Sequence, residues 1–190
     1  TSIASSREIL KIVKKYKKRL IVNTHRTYSP NFFMIEKILK QNNENPTSIY
    51  INSPSAGLGN MGSIFFDLAK FFFKSKAKSL ISWIDQSKTQ NPRGKKFKDP
   101  GGYGIINFNG GRKLFFDLSE NTGLPYTILI KSKNFEFLID EINNKFQYRK
   151  RPKKFYSKPL YYYLFKPDYK TLKIKHKFDV IKMTTFTIKE

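Results

Sequence analysis

The side chains of this sequence that could do chemistry are mostly cationic, and they cluster beside aromatic residues. Residues 148–156 place lysines and arginines next to Tyr148, Phe155 and Tyr156. Cations contact phosphates and aromatic rings stack on unpaired bases, so this mixture is typical of a nucleic-acid surface. The predicted RNA-binding residues of this segment are Arg149, Lys150, Arg151, Lys153 and Lys154. A solvated linker is the alternative interpretation.

A second cationic cluster lies on a predicted amphipathic helix over residues 6–22. Its apolar residues recur at three- and four-residue spacing, and six lysines and arginines fill the rest of the helix. Like charges on one short helix repel each other unless an anionic partner neutralises them. We therefore expect this helix to bind RNA or another polyanion, through residues that include Lys11, Lys14, Lys15 and Lys18. A solvated charged face is the alternative.

The third cluster lies in a long loop between residues 85 and 102 that has no apolar periodicity. Long loops without secondary structure inside compact domains are usually functional or disordered. The cations of this loop are Lys88, Arg93, Lys95, Lys96 and Lys98.

Composition favours a folded chain with an anionic partner. The 190 residues are 39% hydrophobic and 16% aromatic, which is enough for a core, and the formal net charge is +23. The basic residues are not confined to one amphipathic helix, and no apolar run is long enough to span a bilayer, so we predict no membrane partner. Nucleic acid is the favoured partner.

The sequence offers little for catalysis. There are no cysteines, only two histidines, His25 and His176, and 14 scattered acidic residues. Asp85 and Asp99 could approach each other across the base of the basic loop, which leaves a metal-dependent nuclease as an alternative. Residues 53–62, SPSAGLGNMG, have neither the phosphate-loop nor the dinucleotide glycine spacing. We predict no enzyme, no cofactor, no metal site and no catalytic residue.

Hydrophobic periodicity predicts helices over residues 6–22, 31–45 and 63–73, a short one around residues 114–118, and one over 132–146. Strands are predicted over residues 47–52, 79–84, 103–109 and 125–131, with two more within 160–165 and 176–188 closing the sheet. The predicted domains are a basic helical extension, residues 1–41, and a single RNA-binding domain, residues 42–190.

The order of these elements resembles the universal large-subunit ribosomal protein five family of the bacterial type. The resemblance spans roughly residues 42–188 and rests on three short segments. Their matching residues are Lys78, Leu80 and Ile81, then Gly111, Arg112, Leu114, Phe115, Phe116 and Leu118, then Phe165, Pro167, Asp168, Tyr169, Asp179, Thr184 and Thr185.

That resemblance implies an α+β fold: an antiparallel sheet with helices packed on one face, a long basic loop and the basic N-terminal helix as an extension. It implies a structural constituent of the central protuberance of the large ribosomal subunit. The implied partners are large-subunit ribosomal RNA, 5S ribosomal RNA where the ribosome contains it, transfer RNA in the P site, and small-subunit protein thirteen with other ribosomal proteins.

The resemblance also assigns residues to these partners. The cations of the basic loop would face transfer RNA. The turn after the first strand would face ribosomal RNA through Asn52, Ser53, Ser55, Gly57 and Asn60. Abundant Phe, Tyr, Lys, Asn and Ile indicate an AT-rich gene, so we expect a divergent mitochondrial member in the matrix ribosome. Another basic nucleic-acid-binding protein, either a different ribosomal protein or a viral or mobile-element factor, is the alternative.

Overall fold

The computed structural model describes residues 3–20, 22, 24–54, 57–86, 94, 96–121, 126–162, 164 and 168–171. Three α-helices are present: α1 (Ile3–Lys15), α2 (Pro30–Gln41) and α3 (Ser63–Phe73). Short 3-10 turns occupy His25–Tyr28, Asn109–Gly111, Lys153–Phe155 and Leu160–Tyr162, and a π-helical turn, Leu58–Gly62, leads into α3. Within these residues no helix combines the length and the apolarity needed to cross a membrane.

One sheet contains all eight strands that the structure describes. They are β1 (Ser48–Asn52), β2 (Ala77–Ile84), β3 (Gly102–Phe108), β4 (Lys113–Asp117), β5 (Thr127–Lys131), β6 (Phe135–Asp140), β7 (Lys145–Lys150) and β8 (Asp168–Thr171). Their order across the sheet is β2-β3-β4-β1-β5-β6-β7-β8. The β1–β4 pair is parallel and every other pair is antiparallel.

The core lies between one face of this sheet and the helices α2 and α3. Phe32, Ile35 and Leu39 of α2 recur at helical spacing and are buried. Strands contribute every second residue to the same core, for example Phe135, Phe137 and Ile139 in β6. We call this side of the sheet the helix face and the opposite side the outer face.

The prediction of an antiparallel sheet with a projecting basic loop is wrong. The sheet is mixed, because β1 lies parallel to β4. The helices predicted around residues 114–118 and over 132–146 are wrong, because these segments contain β4 and the β6–β7 hairpin. Both segments alternate buried and less buried residues with a period of two, and this alternation outweighs the weaker helical spacing.

Several predicted elements are confirmed and others are not. Strand β1 and helix α3 match their predicted ranges closely. Helix α1 ends at Lys15, seven residues before the predicted end, and Lys17 adopts a positive φ of 50°. Residues 160–162 form a 3-10 turn instead of a strand. The predicted strand within residues 176–188 lies outside the described residues.

The predicted boundary at residues 41 and 42 stays a prediction about how the chain divides. The two helices of the predicted N-terminal extension differ in burial. Helix α2 contributes three side chains to the common core. Helix α1 contributes no buried residue.

Candidate functional site

The cations of α1 face solvent. Lys11, Lys14 and Lys15 lie on the helix and Lys18 follows it, and all four are exposed. The basic loop gives a similar result where it is described. Lys96 and Lys98 are exposed, whereas Lys88, Arg93 and Lys95 lie outside the described residues.

The turn after β1 is occupied by one of the protein's own carboxylates. The backbone N–H groups of Gly59 and Asn60 donate to the two carboxylate oxygens of Asp99, at 2.7 and 3.0 Å. A Cβ atom on Gly57 would come within 2.2 Å of the same carboxylate, so glycine is required there. Helix N-termini attract anions, and here that anion is Asp99.

The other predicted residues of this turn do not form one surface. Ser53 is buried, and its N–H donates to the carbonyl oxygen of Asp117 at 2.9 Å. Asn52 is exposed at the end of β1. Ser55 lies outside the described residues.

Asp85 fastens the other side of the same loop. Its carboxylate accepts a hydrogen bond from the N–H of Glu120 at 2.8 Å, and its own N–H donates to the carbonyl oxygen of Gly101 at 3.1 Å. The carboxylates of Asp85 and Asp99 therefore both accept hydrogen bonds from backbone N–H groups. In the part of the chain that is described, no three acidic or histidine side chains gather as a metal site would require. The nuclease alternative has no support in these residues.

The segment of residues 149–154 is largely engaged with the protein itself. Arg149 pairs with Glu136 at 2.9 Å, and Arg151 donates to the carbonyl oxygen of Lys158 at 2.5 Å. The ammonium of Lys150 lies 5.4 Å from the ring of Phe135. Lys153 and Lys154 are exposed.

Tyr148 does not serve as a stacking platform, as the aromatic mixture suggested. It is buried, and its ring lies 5.2 Å from that of Phe137.

A buried ion pair, which the sequence did not reveal, ties the turn His25–Tyr28 to the β6–β7 hairpin. Arg26 is 1% exposed, and its Nη2 lies 2.9 Å from Oε2 of Glu141. The guanidinium also lies 4.7 and 5.2 Å from the rings of Phe65 and Tyr126. The two partners are 115 residues apart, so no local pattern announces them.

Burial dominates the protonation of this cluster. It raises the pKa of Tyr126 to about 12, and the nearby charge of Glu141 adds to the rise. Burial also raises the pKa of Glu141, although Arg26 acts in the opposite direction. A pair enclosed in this way is a structural tie.

The most distinctive surface is the outer face, which shows stacked aromatic rings. Trp83 of β2 stacks on Tyr103 of β3, with ring centroids 5.2 Å apart and an interplanar angle of 16°. Tyr50 of β1 stacks on Phe115 of β4 at 4.6 Å and 4°. Trp83, Tyr103 and Tyr50 remain 54%, 45% and 38% exposed. Among the described residues, no helix packs on this face.

The outer face is nearly balanced in charge, unlike the chain as a whole. Its strand positions carry four cations and three acids in β4 to β7: Lys113, Lys131, Lys145 and Arg149, with Asp117, Glu136 and Asp140. Glu136 sits between two of the cations, 3.2 Å from Lys131 and 2.9 Å from Arg149. A charge-balanced surface with exposed aromatic rings suits contact with protein better than contact with a polyanion.

No family model and no curated protein matches this sequence. The fold, however, is similar to solved oxidoreductase structures. UDP-N-acetylglucosamine 3-dehydrogenase GnnA from Acidithiobacillus ferrooxidans matches with a TM-score of 0.68 and 10% identity over 98% of this chain and 57% of that one. An NAD-binding oxidoreductase from Klebsiella pneumoniae matches with a TM-score of 0.65 and 13% identity over 88% of this chain and 50% of that one.

A regulator has the same fold. The super-repressor mutant of Gal80p from Saccharomyces cerevisiae matches with a TM-score of 0.73 and 11% identity over 99% of this chain and 54% of that one. The chain therefore spans about half the length of the structures it matches. At these identities, the similarity shows the fold.

These matches overturn the ribosomal assignment. The fold is that of NAD-binding oxidoreductases and Gal80p, so membership of the ribosomal protein five family is wrong. Three predictions that depend on this assignment are also wrong: the ribosomal function, the non-enzymatic classification and the ribosomal partners. Those partners were large-subunit and 5S ribosomal RNA, transfer RNA and small-subunit protein thirteen. The mitochondrial location stays a prediction.

The physical reason for this error lies in the matched residues. Leu114, Phe116 and Leu118 are core positions that any packed sheet fills with apolar side chains. Lys78, Leu80 and Ile81 lie on an exposed edge strand. Short apolar segments in a plausible order therefore did not specify one fold.

Proposed function

We propose that this chain is the assembly domain of an oxidoreductase-type protein, in which the outer face of the sheet binds the same face of a second copy. The observation that carries the proposal is the pair of exposed aromatic stacks, Trp83 with Tyr103 and Tyr50 with Phe115, on a sheet face without a covering helix in the described part of the chain.

The flat area of the face approaches that of a stable interface. Strands lie about 4.8 Å apart and rise about 3.3 Å per residue, so strands β1 to β7 at five residues each present a flat area of about 550 Å². Side-chain relief increases the accessible area beyond that value. Stable interfaces bury about 800 Å² per partner, and exposed aromatic rings contribute strongly to them.

The charge pattern favours a second copy as the occupant. The interleaved acids and cations of β4 to β7 can pair with the same set after a two-fold rotation. The rest of the molecule opposes association, because each chain carries a formal net charge of +23. Salt screens this repulsion and also the few ion pairs across the interface, but it does not weaken apolar contact. Because the repulsion between two chains of charge +23 outweighs those pairs, association should become tighter as salt increases.

The proposal assigns no dinucleotide to the described residues. The N–H groups of Gly59 and Asn60 in the turn before α3 already donate to Asp99, so they are not open to a pyrophosphate.

Sedimentation velocity tests the proposal. We expect the wild-type chain to sediment as a dimer, at twice its mass of 22.4 kDa, and more completely at about 0.3 M than at about 0.05 M salt. Trp83→Lys should give a monomer. The matched control is Tyr161→Lys, which alters a tyrosine that is 69% exposed and lies away from the strands of this face.

Two results would refute this function. One is a wild-type monomer at every protein and salt concentration. The other is an equal loss of dimer in the two variants, which would show that any added lysine prevents association.

A further inference from the structure

A cavity of about 530 Å³ opens on the helix face of the sheet, between the end of α3 and the edge strands β2 and β3. It is independent of the outer face. Its walls are mainly apolar and include Phe66 of α3 with Ile106 and Phe108 of β3. This volume is in the range of small-molecule sites, which combine apolar walls with a few polar groups.

Ser75 supplies an unusual polar group in that cavity. Its Oγ is buried and has no hydrogen-bond partner among the described residues, although Ser75 lines the cavity. A buried hydroxyl without a partner is unfavourable. The Oγ atom has almost no accessible surface in this rotamer, so a rotation about χ1 must turn it toward the cavity before it can donate to a ligand atom there.

Lysines surround this hydroxyl. Lys70, Lys74 and Lys76 also line the cavity. Lys74 is already paired, with its Nζ 2.5 Å from Oε1 of Glu36. Lys70 and Lys76 have no carboxylate within ion-pair distance in the part of the chain that is described. A ligand anion at the rim would therefore meet two available ammonium groups and one hydroxyl donor.

We propose that this cavity binds a medium-chain carboxylate. Its hydrocarbon chain lies against Phe66, Ile106 and Phe108. Its carboxylate pairs with the ammonium groups of Lys70 and Lys76, and it accepts a hydrogen bond from Oγ of Ser75 once that side chain has rotated toward the cavity. Each part of the ligand thus meets the part of the cavity that matches its polarity.

Calorimetric titration of the wild-type chain with carboxylates below their micellar concentrations tests this without a mutation. Each added methylene from octanoate to dodecanoate should tighten binding about fourfold while the cavity fills. Decan-1-ol and decylamine should bind at least about tenfold more weakly than decanoate, since one lacks the charge and the other reverses it.

Variants then locate the site. Lys76→Glu should weaken decanoate binding at least about tenfold, and Ser75→Ala several-fold. Ala77→Phe should abolish binding, because Ala77 lines the cavity on the exposed strand β2 and the ring would fill the space. Lys78→Glu is the matched control: it adds the same charge two residues further along, at a position that does not line the cavity. It should weaken binding clearly less than Lys76→Glu does, because Lys78 does not line the cavity.

The inference fails if decan-1-ol binds as tightly as decanoate, if Lys78→Glu weakens binding as much as Lys76→Glu, or if Ala77→Phe leaves affinity unchanged. Its outcome is separate from that of the assembly proposal, because Trp83→Lys should remain able to bind decanoate when it is monomeric.

Discussion

The two faces of the sheet differ in whether other parts of the described chain cover them. On the helix face, β1 and β4 to β7 present aromatic and aliphatic side chains that α2 and α3 cover. On the outer face, β1 to β4 present stacked aromatic rings that remain exposed, and β5 to β7 present mostly polar and charged residues. The covered face explains why the chain folds, and the exposed face is the part available for a partner.

Truncation of one ring on each face tests this contrast most strongly. Phe137 is fully buried on the helix face, so Phe137→Ala should lower the free energy of unfolding by about 3–5 kcal/mol. Phe115→Ala on the outer face should cost less than about 1 kcal/mol in the monomer. Urea unfolding at a protein concentration below that needed for association measures both. Equal losses of unfolding free energy in the two variants would mean that the two faces are packed alike.

The ion pair Arg26–Glu141 belongs to the covered side. Arg26→Met leaves the carboxylate of Glu141 buried without its cation and should cost about 3 kcal/mol. The double variant Arg26→Met/Glu141→Leu should recover most of that loss, because neither charge remains buried. Thermal unfolding of the single and double variants provides the comparison. A double variant as unstable as the single one would contradict this explanation.

Asp99 holds the turn that leads into α3 and should have an intermediate effect. Asp99→Ala removes the acceptor for two N–H groups of that turn and should cost about 1–2 kcal/mol. Asp99→Asn keeps one acceptor oxygen and should cost less. Glu8→Ala on the exposed helix α1 is a control that should change stability negligibly. Urea midpoints for all three would show whether this carboxylate acts as a cap.

The smallest expected effect concerns His25. Burial first, and then the charge of Arg26, hold the pKa of His25 below its usual 6.5. The unfolded chain therefore binds more protons, and the stability that neutral His25 allows above pH 6.5 is lost as pH falls through the lower folded-state value. Urea midpoints between about pH 7.5 and about pH 5.5 should fall less for His25→Asn than for wild type. Parallel pH profiles would exclude a role for His25.

Local patterns in the sequence predicted some elements well. Ile49 and Ile51 alternate as a strand requires, and the apolar run of residues 63–73 forms the buried helix α3. Phe135, Phe137 and Ile139 alternate in the same way, but Phe135, Ile139, Ile142 and Phe146 also lie at helical spacing, which is why a helix is predicted over residues 132–146.

Pairings across long sequence separations could not be predicted. No local pattern near Thr47 or Lys113 predicts that β1 and β4 pair in parallel. Likewise, Arg26 and Glu141 meet only because the fold brings the turn and the hairpin together. The outer face has no local signature in the sequence, because its aromatic residues come from four separate strands.

The absence of cysteine from the chain allows one direct measurement of the central claim, that two outer faces meet. Leu129→Cys places a single thiol on the outer face near the middle of the sheet, and Lys37→Cys places one on the solvent side of α2 as a control. With a short bismaleimide, Leu129→Cys should give a covalent dimer and Lys37→Cys should stay a single chain. Equal cross-linking of the two variants, or none in either, would contradict the account.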